Sequence, residues 1–485
     1  MRLKLLFGFL LCANLFATGC SSTGTSARLS AEKTTESTLL PTGGQSGVGI
    51  ILIDQQGIDS KKQDSPDQNL RQVAFREAVQ LNKKLSLAKC IDLAINQHPD
   101  LAIAMSQADA AQGQLVQAGL YPNPVIGYES DDMNAPGGGA GKQGASITQS
   151  IVTAGKLQLA SSAAAKGVES ADWKAQAKLF DVVTKVRSTF YDNLTAQQEL
   201  ETARDILKIA QDGVNSAEKL QKAGIVGQPD VLRAKVELEQ SKVKVSIADQ
   251  HVTTNWQVLT NVLGQKDMPV TPLDGSLLEV VPEYDFNRVR QAMLDISADL
   301  QAAQAAVGQA DFALSRAEAE VVPDLQVQVR PFYSQPDRRT ELAVGISAPL
   351  PIYNRNQGNI MAARANLAQA QATLRQVELQ LQERLALAIE RYNNAQQQVQ
   401  AYSQKILPSA QESLRLILIA YGSGDQRNDF TAVLEAQRSL AQAKLGLVQS
   451  RGELQKATSE IEGILQRLPS GTVPREMKQP IAPSK

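Results

Sequence analysis

Only 4% of the 485 residues are aromatic, two are histidine and three are cysteine. Each scarcity excludes something. His98 and His251 cannot build a zinc centre with Cys12, Cys20 and Cys90, which are not spaced as metal ligands. No P-loop and no G-x-S-x-G elbow occurs, so no catalytic constellation and no cofactor is expected. The net charge of -1 implies no nucleic-acid partner. Beyond the N-terminus no run of about 18 apolar residues could form a membrane-spanning helix. Membrane residence would have to come from lipid or from a β-barrel.

What is present begins with an export signal. Arg2 and Lys4 precede an apolar run, Leu5 to Phe16, and the small residues of "ATGC" follow. The expectation is a lipoprotein signal peptide over residues 1–19, with Cys20 acylated. Ala17 stands where such signals usually carry Leu, so an ordinary signal peptide ending near a cysteine is the alternative. Residues 20–85 read as a flexible tether rich in Ser, Thr and Gly, with a short strand at "VGIILID". Only Cys90 is left as a free thiol, read as a small buried hydrophobe in a chain held by packing.

From Ser86 onward apolar residues recur every seven positions. One set is Leu87, Ala94, Leu101, Ala108 and Leu115; Phe286, Met293, Leu300, Val307 and Leu314 repeat it 199 positions later. Another is Val231, Leu238, Val245, Val252 and Leu259, echoed by Val433, Leu440, Leu447, Leu454 and Ile461. Such stripes stay aligned only on supercoiled helices. The chain is therefore read as two copies of one unit, residues 86–264 and 285–468. A Pro-containing linker, 265–284, joins them, and a disordered tail, 469–485, ends the chain. Each copy is expected to run helix (Ser86–Leu120; Asp285–Val321), Pro stop and β-hairpin. A helix of about 67 residues then leads through a tight turn into a last helix.

A helix of 67 residues spans about 100 Å. The two shorter helices, stacked end to end, match it. Such a unit has almost no interior and must bury its stripes against other copies. Its four short alternating strands cannot close a barrel alone, but three chains would supply twelve. The fold expected is thus mainly α with a membrane β-barrel: a trimeric 12-stranded barrel continuous with a long coiled-coil barrel. Tyr121, Tyr128, Phe332, Tyr333 and Tyr353, near the strand ends, are candidate membrane-interface aromatics.

The duplicated order resembles the TolC-like outer membrane factors. The segments "NQHPDLAIAMSQADAAQGQLVQAGLYPNPVIGYES" and "VGISAPLPIYNRNQGNIMAARANLAQAQATL" look most like the heavy-metal CzcC-like branch. The resemblance implies a passive outer-membrane exit duct, anchored in outer-membrane lipid with a large periplasmic part. It implies a homotrimer working with a periplasmic adaptor and a proton-driven, RND-type inner-membrane pump. Cobalt, zinc or cadmium cations lead as cargo, with drug or solvent export and type I secretion behind. From another class, a soluble periplasmic scaffold or adaptor remains.

In the family the tight turns dock the adaptor and close the pore. Gly224, Gly227, Pro229 and Asp230 match the first turn, Gly422 and Gly424 the second. The family's acidic D-x-x-D segment is reduced here to "AVLE", with Ala432 and Glu435. Glu435, Asp429 and Asp425 are the candidate cation ring, with solvated turn charges as the alternative. His98, before Pro99, is a weaker candidate for ion contact.

Overall fold

A computed structural model describes residues 84–131, 141–266, 268–279, 281–335, 337–422 and 430–468. All belong to one compact unit, Asn69–Lys485. Cys20, the "VGIILID" segment, Gly424, Asp425, Asp429 and the tail after 468 lie outside the described residues.

The first copy opens with β1 (Leu85–Ser86), α1 (Leu87–Gln97) and α2 (Pro99–Ala118). A hairpin of β2 (Val125–Asp131) and β3 (Lys142–Ile151) follows, then α3 (Lys156–Lys222) and α4 (Gln228–Val262). After β4 (Leu273–Asp274) the order repeats with α5 (Phe286–Ile296), α6 (Ala298–Ala319), β5 (Leu325–Ser334) and β6 (Arg339–Ser347). The second long helix comprises α7 (Gln357–Ala401), a π-helical turn (Tyr402–Ile406) and α8 (Leu407–Gly422); α9 (Phe430–Ile464) closes the unit. As the lengths require, α3 packs beside both α2 and α4, and α7 beside α6 and α9.

Three expectations are corrected. The opening helix of each copy is broken. His98 and Ser297 leave helical backbone at ψ 124° and 118°, and each side chain caps the helix that follows. Pro99 explains the first break, because its ring disfavours α geometry at His98. The second long helix is not uniformly α. Pro408 has no N–H to give to the carbonyl four residues back, and the turn before it widens to π geometry.

The linker packs into the fold. Leu273 and Leu277 are buried with Phe190, Trp256 and Leu259, and β4 pairs in parallel with β1. Trp256 Nε1 donates to Met268 O at 2.8 Å, Gln455 Nε2 to Glu279 O at 3.1 Å and Tyr392 OH to Pro282 O at 2.7 Å. The segment is thus strapped to both copies. Leu85, assigned to the tether, belongs to this core.

At the start of α7 Asn356 makes no side-chain cap bond, while Asn354 Oδ1 accepts from Asn356 N at 3.0 Å. Asn356 sits in left-handed backbone at φ 58°, as does Gly155 at φ 67° before α3, and its Nδ2 donates to Ala317 O.

The duplication is visible in the packing. Cys90, Ala94, Leu101 and Val186 lie in one core; Val289, Met293, Leu300 and Leu385, each 199 positions on, lie in the other. Along α9 the heptad set Val433, Leu440, Leu447, Leu454 and Ile461 is buried throughout. At Gly452 and Gly463 a Cβ would overlap Thr195 and Thr184 of α3, so α9 approaches α3 at distances only glycine permits.

Candidate functional site: a two-faced sheet and a paired-turn tip

The strands form one antiparallel sheet in the order β2-β3-β5-β6. The hairpins of the two copies therefore join through β3 and β5, and β2 and β6 form the edges. Register and side-chain alternation sort the residues onto two faces. One carries Ile126, Ile147, Val329, Leu342, Val344 and Ile346, all exposed to solvent in the single chain. The other carries Glu129, Asp131, Lys142, Thr148, Gln326, Gln328, Arg330 and Glu341. An apolar outer face with a polar inner face is the pattern of a membrane barrel strand.

The aromatics divide between these faces. Tyr128 and Tyr333 lie on the apolar face, and the Tyr128 hydroxyl donates to Gln143 Oε1 at 3.0 Å. Phe332 is the exception. It faces the polar side, where Lys142 and Arg330 approach its ring at 5.3 and 5.5 Å. It stands opposite Gly144, where a Cβ would collide with the β5 backbone. Tyr121 and Tyr353, outside the strands at the helix junctions, are 69% and 91% exposed, leaving both rings available to an interface.

At one junction Lys156 is buried at the start of α3. Its ammonium meets Asp324 Oδ1 at 2.8 Å and Glu320 Oε2 at 3.7 Å, both from the second copy. Thr153 joins them, donating from its backbone to Asp324 and from its hydroxyl to Pro323 O.

At the other end of α3 the chain reverses through Gly224, φ 76°. Gly224 N donates to Gln221 O and Ile225 N to Leu220 O, both at 2.9 Å, which satisfies the last carbonyls of α3. Asp230 Oδ2 accepts from Gly227 N and caps α4, with Pro229 in its first turn. Arg233 then ties the two tips together, reaching Asp230 at 3.4 Å and Thr431 of α9 at 3.0 Å. Beneath it Val231, Ala234, Phe430 and Leu434 pack with Ala217. Glu435 is exposed in the second turn of α9. Gly422 ends α8.

His98 acts through Nδ1, which accepts from Asp100 N at 3.1 Å. Asp100 in turn meets Lys178 at 2.8 Å, and that ammonium holds its carboxyl below the usual range. Cys90 is fully buried, which pushes its thiol up to about 12. Among the described residues no group of acidic, His and Cys side chains is arranged to hold a metal.

The sequence profile of the outer membrane efflux protein family matches residues 90–265 and 289–465, the two copies described above. The cobalt-zinc-cadmium resistance protein CzcC of Cupriavidus metallidurans is 24% identical over 383 residues, 79% of this chain and 90% of that protein. Protein CyaE of Bordetella pertussis is 24% identical over 317 residues, 61% of this chain and 66% of that one. Among solved structures, the outer-membrane channel OprN superposes with a TM-score of 0.68 at 18% identity, over 78% of this chain and 89% of its own. CusC follows at 0.67 and 17%, over 78% and 91%, and VceC of Vibrio cholerae at 0.66 and 18%, over 78% and 96%. The chain belongs to the outer membrane efflux protein family and has the fold of the TolC-like outer-membrane channels.

Proposed function

We propose that three copies of this chain close a 12-stranded barrel in the outer membrane and form the exit duct of a tripartite, proton-driven efflux system. One observation carries the reading. A four-stranded sheet with an exposed apolar face and two open edges, β2 and β6, is stable only if further copies close it. No described helix is long and apolar enough to cross a membrane. A soluble scaffold has no use for such a sheet. The exposed stripe Leu232, Val236, Val243, Ile247 and Val258 on α4 would then be covered by a neighbouring copy.

In this duct the paired turns around Gly224, Gly227, Pro229 and Asp230, with Gly422 and Gly424, form the end that meets a periplasmic adaptor and, through it, an RND-type pump. Glu435 lines the narrowing at that end, and the sequence adds Asp425 and Asp429, outside the described residues, as candidates for the same ring. Tyr121, Tyr128, Tyr333 and Tyr353 sit at the membrane interface, and acylated Cys20 adds an anchor. Metal cations are the favoured cargo, supported by the similarity to CzcC along most of both chains.

The test is a gene deletion complemented with this chain. Cobalt, zinc and cadmium tolerance should fall on deletion and return on complementation, with the protein recovered in outer-membrane fractions. Recovery in the soluble periplasm would overturn the duct. Metal tolerance unaffected by deletion, with loss of drug tolerance or polypeptide export, would reassign the cargo. For the tip, Glu435→Ala should raise single-channel conductance in planar bilayers; an unchanged channel removes Glu435 from the narrowing.

A further inference from the structure

We propose that Arg330 sets the charge of the duct's inner wall, masking Glu129 and Asp131 so that exported cations pass the exit without being held there. The inference rests on the duct reading above, in which the polar face of the sheet lines the lumen.

The geometry is specific. A single atom, Arg330 Nη1, lies 2.8 Å from Glu129 Oε2 and 2.6 Å from Asp131 Oδ2. The second Glu129 oxygen accepts from Gln328 Nε2 at 2.8 Å. These partners are not on neighbouring strands. Arg330 and Gln328 stand on β5, the carboxylates on β2, and β3 runs between them. At about 4.8 Å per strand, the contact must span nearly 10 Å of sheet. It can do so because Gly144 of β3, opposite Glu129 and Phe332 in register, has no side chain to obstruct the crossing. Arg330 also lies against the Phe332 ring, which fixes its direction.

The two copies have diverged to make this contact. At the 199-residue offset that relates the copies elsewhere, Asp131 corresponds to Arg330 and Glu129 to Gln328. The first pair carries opposite charges on the same face, and the partners of each pair meet.

Two carboxylates that share one nitrogen are close enough to share one divalent cation, whose oxygen shell is about 4 to 5 Å across. Without the guanidinium, a threefold duct would present three such acidic pairs at its wall. A cation channel needs binding weak enough for release. Arg330 occupies the point between the two carboxylates and lowers the charge of each cluster from −2 to −1, and Arg is suited to that role because its charge is permanent.

The experiment uses the purified full-length chain in planar bilayers, with zinc chloride as probe. Wild-type current should be insensitive to millimolar zinc. Arg330→Gln channels should lose at least about threefold of their current in zinc, and Arg330→Lys should behave as wild type. In the opposite direction, Glu129→Gln with Asp131→Asn unmasks Arg330 and should move the reversal potential in a potassium chloride gradient toward chloride. Zinc acting equally on wild type and Arg330→Gln overturns the proposal, as does an unmoved reversal potential in the double variant. Should Arg330→Gln fail to insert, the double variant decides alone. Absence of any wild-type current overturns the duct reading itself, and this inference with it.

Discussion

Single residues join the two copies as much as backbone does. Lys156 belongs to the first copy and its carboxylate partners to the second, and the lysine is buried. Lys156→Met keeps the volume but leaves Asp324 with Thr153 alone. It should cost about 2 kcal/mol, seen as a lower thermal midpoint in detergent, and adding Asp324→Asn should recover most of the loss. Asp100 and Asp299 occupy equivalent positions but have opposite fates. Asp100 is held by Lys178, whereas burial raises Asp299, with Asp181 adding to the shift and Arg384 opposing it. For Asp299 the sign follows from proton uptake. Between its unfolded and raised folded values the folded state holds the extra proton, so stability falls as pH rises through that window. Above its folded value the cost is fully present; below the ordinary carboxylate range it is gone. Asp299→Asn should therefore raise the thermal midpoint at neutral pH and give no gain in acid.

Elements are shaped by where they touch. Because α9 meets α3 at Gly463 against Thr184, Gly463→Ala should cost about 1–3 kcal/mol, and Thr184→Ser in the same chain should restore only part of it. A thermal melt of the three variants checks this. Element order, the long helices and the strand alternation were legible in the sequence, because heptad spacing and period-two patterns are local signals. The break at His98 and the π turn were missed although Pro99 and Pro408 mark them, because the heptad spacing runs on across both. The break at Ser297 carried no such mark, since serine caps a helix as readily at its start as it sits within one. The strap was hidden for a different reason. Leu273 and Leu277 have no periodicity of their own, and their burial is decided by helices far away in sequence. Face parity was readable within each strand. The pairing of Arg330 with Glu129 and Asp131 was not, because it depends on the order in which strands join.

At the scale of the whole molecule the single chain leaves apolar surface open to solvent. Its exposed apolar residues are concentrated on the sheet's outer face and on α4, among other helices. Val243→Lys with Ile247→Lys, both on the exposed α4 stripe, should leave far-ultraviolet circular dichroism intact and reduce the species in native mass spectrometry to a monomer. An unchanged oligomer would place the neighbour on another surface.

The strap between the copies has a consequence for how the protein is made. Leu468, near the end of the described chain, packs against the same core as Leu85, and Arg187 of α3 is buried against Glu462 and the carbonyl of Arg467. The amino-terminal half therefore cannot finish its interior until the last helix arrives. A chain synthesised from its amino end would emerge with that half open, and its consolidation would wait on the final stretch to be delivered. Two copies in the gene do not make two independent folding events; completion is a property of the entire polypeptide.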